Sequence, residues 1–151
     1  MSELKARLRT DLTASMKARD ELTRDTVRMV LSAIGDEEVA GATARVLSDD
    51  DVQTVLVREA KKRREAATAY DAAGRPDRAE RERAEGEVVA RYLPAQLSDT
   101  ELQEIVDAAV TGSGVTGRTA MGQVMKLVRP QVAGRAEGSR VAAVVRRALG
   151  G

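Results

Sequence analysis

Apolar residues recur along this chain at spacings of three and four, and strand-like alternation is nearly absent. Leu4, Leu8, Leu12 and Met16 fall on one drifting stripe and predict a first helix. Asp20 suits the N-cap of a second helix, whose inward face is Leu22, Val27, Val30, Leu31 and Ile34. That helix is expected to fray across GDEEVAG (35–41), since Gly35 and Gly41 both weaken a helix, and ATARVL (42–47) to form a loop. Ser48 with Asp51 three residues on opens a long third helix in the pattern of a capping box. Its buried stripe is Val52, Val55, Leu56, Ala60, Ala67 and Tyr70. GRP at 74–76 stops it, because glycine suits a helix C-terminus and proline cannot continue one. A fourth helix from Asp77 carries Ala84, Val88, Val89 and Tyr92, and so short a turn makes helices three and four an antiparallel hairpin.

YLPAQLSDTE (92–101) marks a boundary. Leu93 precedes a proline and is pushed away from helical backbone angles. Ser98 caps the next helix, Glu101 completes a capping box, and Leu97 can staple onto Leu102. The fifth helix shows Leu102, Ile105, Val106, Ala109 and Val110 on one face, and GSGVTG (112–117) ends it. A sixth carries Met121, Val124, Met125 and Val128 up to Pro130, and a seventh Val141, Val144, Val145, Ala148 and Leu149. The expected fold class is therefore all-α. A helical N-terminal domain (1–93) contains the long hairpin, a hinge lies at about 93–98, and a small three-helix domain occupies 98–151.

Composition narrows the chemistry. With two Tyr, no Phe and no Trp, the core must be aliphatic, and nucleic-acid binding by rows of stacked aromatics is excluded. The absence of Cys and His removes disulfides, thiolate metal sites, cysteine nucleophiles and imidazole acid–base schemes. The carboxylates are scattered along charged helical faces, and no nucleophile sits beside an activating base in sequence. No catalytic residue, metal ligand or cofactor is expected. The start, MSELKARLRTDL, has no apolar core of signal-peptide length, and the chain has no apolar run of about 18 residues. The expectation is a soluble, cytoplasmic protein with no membrane partner.

Net charge is +1, but it is unevenly placed. From Ser113 to Gly151 there are seven basic residues against the single acid Glu137, or +6. Eighteen basic and 23 acidic residues remain in 1–112, or −5. Such asymmetry points to a polyanion partner. Arginine on a solvated helix face is also ordinary, and Arg146 and Arg147 suit a helix C-terminus through the macrodipole alone. Glycine turns that lead into helix N-termini expose backbone N–H groups able to receive a phosphate oxygen. GSGVTG leads to the sixth helix and GRAEG (134–138) to the seventh, although glycine also serves plain capping. The candidate RNA-contacting residues are Arg118, Lys126, Arg129, Gly134, Arg135, Gly138 and Arg140. KKRR (61–64), flanked by Glu59 and Glu65, and RPDRAERERAEGE (75–87) read instead as salt-bridged solvent faces.

LRTDLTASMKARD near the start, YLPAQLSDTE, MGQVM (121–125) and GRAEG follow one another in a familiar order. On these motifs the chain resembles the GatB/YqeY family, specifically the stand-alone YqeY-like proteins, along essentially its whole length. Gln123 stands where the family's MGKVM has lysine, and Glu137 where its GRADG has aspartate. The resemblance implies an all-helical protein related to the tail of the aspartyl/glutamyl-tRNA amidotransferase B subunit, a tail that helps hold tRNA. The catalytic cradle of that enzyme does not fit in 151 residues. The label of carbon–nitrogen ligase with glutamine as amido-N-donor therefore describes the parent enzyme. What is implied here is a non-catalytic accessory protein, with tRNA or another structured RNA, and an amidotransferase or translation-related protein, as partners. Activity as an amidotransferase is implied only together with partner subunits. The alternative is a helical protein–protein interaction module without a nucleic-acid role, docking through the apolar stripe of the long hairpin.

Overall fold

The computed structural model describes residues 2–150, apart from the side chain of Arg118. Seven α-helices follow in order: α1 Glu3–Ala18, α2 Glu21–Glu38, α3 Asp49–Ala72, α4 Pro76–Ala90, α5 Asp99–Ser113, α6 Met121–Val132 and α7 Gly138–Ala148. A 3₁₀ turn at Arg118–Ala120 precedes α6, and the described residues contain no strand. The chain divides into two compact units, 1–93 and 94–151. Among the described residues no helix is long and apolar enough to cross a membrane.

In the first unit the helix starts are fixed by side chains. Asp20 accepts the Thr23 N–H at 3.1 Å and the Thr23 hydroxyl at 2.7 Å. These two bonds hold its carboxyl below the ordinary aspartate range. Ser48 and Asp51 form both halves of the expected capping box, at 3.1 and 3.0 Å. The core gathers Leu8, Val27, Val30, Ile34, Leu56 and Val89. α3 packs mainly on α4, and both touch α2.

Several local expectations give way to tertiary contacts. Met16 is 51% exposed, because the stripe of α1 drifts and Ser15 takes the buried position. α2 does not fray at Gly35 but runs to Glu38. Ion pairs from Lys5 to Glu38 (2.7 Å) and from Arg58 to Glu37 (3.0 Å) hold its last turn against α1 and α3. Pro76 is the first residue of α4, where a missing N–H breaks no helical bond. Gly74, at φ 71°, makes the turn before it in the left-handed region that other residues avoid. Glu59 is only 4% exposed on the inner side of α3. It lies 4.0 Å from Arg63, which also meets Glu82 (3.2 Å) and Glu85 (3.4 Å) of α4, so this part of KKRR joins two helices. Tyr92, just beyond α4, donates its hydroxyl to Asp11 of α1 at 2.5 Å and lies under the Arg7 guanidinium, 4.7 Å from its ring centre.

The second unit is a three-helix bundle closed on Leu97, Leu102, Val106, Val124, Val128 and Val145. Ser98 accepts the Glu101 N–H at 3.1 Å. The Glu101 carboxylate lies 3.9 Å from Arg135, and only the Ser98 half of the expected capping box is described. α6 continues through Pro130 to Val132 rather than stopping at the proline. Pro130 is exposed, its ring leaves one carbonyl (that of Lys126) without its helical donor, and buried Val128 and Val132 anchor the last turn. Residues 95–97, expected within the hinge, are bonded into this unit. The Leu97 N–H donates to the Arg135 carbonyl at 2.8 Å, and the Gln96 amide donates to that of Gly134 at 2.8 Å.

Replacing Ser48 with Ala removes one half of the capping box and should lower stability by about 1 kcal/mol in urea unfolding. Burial first, and Asp11 second, push the Tyr92 phenol well above its ordinary 10.0. Its stabilising contribution is complete below that pH and is lost as the pH climbs above it. Unfolding measured across the alkaline range should show wild type losing stability more steeply than Tyr92→Phe.

Candidate nucleic-acid interface

Four aliphatic side chains of α6 (Val124, Met125, Val128 and Val132) face the bundle core. Helical geometry then turns Lys126 and Arg129 outward, and their spacing of three puts them on one face. Both are exposed, and among the described residues neither has a hydrogen bond or ion pair. Leu127, beside them, is 48% exposed. Arg129 also lies in the last turn of α6, where the helix dipole favours a cation.

Arg135 and Arg140 are placed differently. Arg135 donates from Nε to the Ala95 carbonyl at 3.3 Å, and its guanidinium lies 3.9 Å from Glu101. Arg140 donates to the Leu97 carbonyl at 3.0 Å and to Asp99 at 2.7 Å. Together they strap residues 95–99 onto the turn between α6 and α7 and onto α7 itself. Gly134, at φ 71°, makes that turn and offers its carbonyl to Gln96. Gly138 is the exposed first residue of α7, and Glu137 before it makes no side-chain cap. Arg118 lies in the 3₁₀ turn, and its side chain is outside the described residues. GSGVTG therefore does not lead directly into α6, whose N-cap is Ala120.

The folded charge differs from the linear one. The unit 94–151 carries seven basic and five acidic residues, or +2, because α5 contributes Asp99, Glu101, Glu104 and Asp107. Two of those acids meet Arg140 and Arg135. The cations left without a described partner are Lys126 and Arg129 on α6, with Arg146 and Arg147 exposed in the last turn of α7. The last two stood outside the candidate set, since the macrodipole already accounts for them. No cluster of three or more His, Cys, Asp or Glu among the described residues could hold a metal ion.

An all-helical chain of two units, the second with a cationic helix face, matches the YqeY-like proteins over residues 5–149, and this chain belongs to that family. Altered inheritance of mitochondria protein 41, a mitochondrial protein of Clavispora lusitaniae, is 29% identical over 99 residues. That match covers 64% of this chain and 56% of the yeast protein, so it spans little more than half of that relative. An uncharacterised protein of Schizosaccharomyces pombe is 34% identical over 97 residues, which cover 64% of this chain and 76% of the other.

The two kinds of arginine separate in a stability measurement. Arg140→Ala leaves the Leu97 carbonyl without its donor and should cost about 1 kcal/mol or more, while the exposed pair with Asp99 adds little. Arg129→Ala should stay within about 0.5 kcal/mol of wild type. Urea unfolding followed by circular dichroism reads both.

Proposed function

We propose that the chain is a non-catalytic, RNA-associated accessory protein of the cytoplasm that grips phosphates with the outer face of α6. The observation that carries this reading is the exposed Lys126–Arg129 pair, which keeps its charge in a unit where Arg135 and Arg140 are engaged. The resemblance to the tRNA-holding tail supports tRNA as the ligand, and an amidotransferase or another translation protein as a companion. In this reading Lys126 and Arg129 touch phosphate, joined by Arg118 and by the N–H groups at Gly138. Arg135, Arg140 and Gly134 hold the strap and the turn beside them.

A protein-docking role has one feature in its favour. The hairpin stripe expected to dock is buried in its own unit at Val52, Val55 and Leu56, but the loop between α2 and α3 exposes Val39 and Val46.

Binding of bulk tRNA across a salt series tests the RNA reading. Each phosphate neutralised contributes about 0.7–0.9 to the slope of log affinity against log salt, so Lys126→Ala/Arg129→Ala should flatten the slope by about 1.4–1.8. Equal, salt-insensitive binding by wild type and the double variant would refute the proposal.

A further inference from the structure

The first unit has a cleft of about 270 Å³ between α1, the start of α2 and the end of α4. Its chemistry is set by Arg7, Asp11, Asp20, Thr23, Arg91 and Tyr92. Each carboxylate already accepts at least one hydrogen bond. Asp11 accepts the Tyr92 hydroxyl, and Asp20 accepts both the N–H and the hydroxyl of Thr23.

The two guanidinium groups are in the opposite condition. Arg91 donates to the Thr23 hydroxyl at 3.3 Å and forms no salt bridge among the described residues. Arg7 lies over the Tyr92 ring, donates to the Arg91 carbonyl at 3.3 Å, and stands 3.9 Å from Asp11, beyond hydrogen-bond reach. A guanidinium has five N–H donors, and each of these uses one in a described hydrogen bond. Both are oriented chiefly by neutral partners: a hydroxyl, a main-chain carbonyl and an aromatic face. Their charge is offset within the cleft by Asp11, 3.9 Å from Arg7, and by Asp20, which interacts with Arg91, but most of their N–H donors stay unused. The cleft keeps most guanidinium donors unused beside carboxylates that each already accept a hydrogen bond, so its Arg7–Arg91 side complements an acceptor-only ligand.

Size limits the ligand further. Pockets for whole drug-sized molecules run to about 300–1,000 Å³, so this cleft suits a compact head group. Two guanidinium forks match the charge and the several oxygens of a phosphate monoester. We propose that Arg7 and Arg91 form a binding site for a terminal phosphate group, carried by a small molecule or by an RNA end. The site lies wholly in the first unit and does not depend on the reading of α6.

The test uses the full ¹⁵N-labelled chain titrated with sodium phosphate against sodium chloride at equal ionic strength. Saturable shifts at residues 20–23 and 91–92 are expected. Arg91→Gln should weaken binding by about tenfold or more, as the loss of a charged hydrogen bond requires, and Arg91→Lys should restore only part of it. Because Arg91 is exposed, both variants should keep the wild-type circular dichroism, and Arg7→Gln provides a second probe. A 5′-phosphorylated RNA oligomer that binds at the same residues while its 5′-hydroxyl form does not supports an RNA source. Saturation by inorganic phosphate without that difference supports a small-molecule source. Shifts that never saturate well above the millimolar range, or that persist unchanged in Arg91→Gln, overturn the site.

Discussion

Arg140 reaches from the first turn of α7 to the carbonyl of Leu97 and the carboxylate of Asp99. Arg135 reaches the carbonyl of Ala95, and the Leu97 N–H returns a bond to the Arg135 carbonyl. These contacts bring the strap 95–98 against the turn after α6 and seat Leu97 in the aliphatic core. A unit as small as 94–151 buries only about 60% of the surface its unfolded chain exposes. A strap that adds one more buried leucine and satisfies its own backbone therefore matters more than it would in a larger domain. The same contacts decide which positive charges remain available. Two arginines of the GRAEG–α7 region maintain the fold, and the positive charge left without a described partner falls on Lys126 and Arg129 of α6 and on Arg146 and Arg147 of α7.

The first unit shows how a chain with two aromatic residues uses one of them. Tyr92 is buried at the end of α4, bonded to Asp11 and capped by Arg7, so it links α1 to α4 where an aliphatic side chain could only fill space. Glu59, buried on α3, sits beside Arg63, which reaches across to Glu82 and Glu85 of α4. A carboxylate so buried is tolerable only with cations beside it, and Lys62 (3.3 Å) and Arg63 (4.0 Å) supply them. Removing one partner of such a cluster costs more than forming it gains, so the cluster constrains how the hairpin helices can pair.

Helix periodicity made most of the architecture legible. Val27, Val30, Val52, Leu102, Val106 and Val141 were all readable as core, because a 3.6-residue repeat fixes the inward face whatever lies opposite. The N-caps at Asp20, Ser48 and Ser98 were readable because capping is a contact across three residues. What escaped depends on distant partners. Pro130 is tolerated because its face is exposed and its neighbours are anchored, and Gly35 because Lys5 and Arg58 hold the turn that follows. Glu59 reads locally as surface charge. Among the candidate site residues, exposure of Lys126 and Arg129 follows from the period of α6. The engagement of Arg135 and Arg140 does not, since their partners lie about forty residues away. The +6 window also begins only at Ser113, after the acids of α5, two of which meet Arg135 and Arg140 in the folded unit.

The chain's five lysines, Lys5, Lys17, Lys61, Lys62 and Lys126, offer a direct reading of where a polyanion sits. Amine-reactive footprinting with and without tRNA at low salt, resolved by mass spectrometry, measures each one separately. tRNA is expected to protect Lys126 while Lys17 and Lys62 stay as reactive as in the free protein. Unchanged labelling of Lys126 under conditions where tRNA is bound would contradict it.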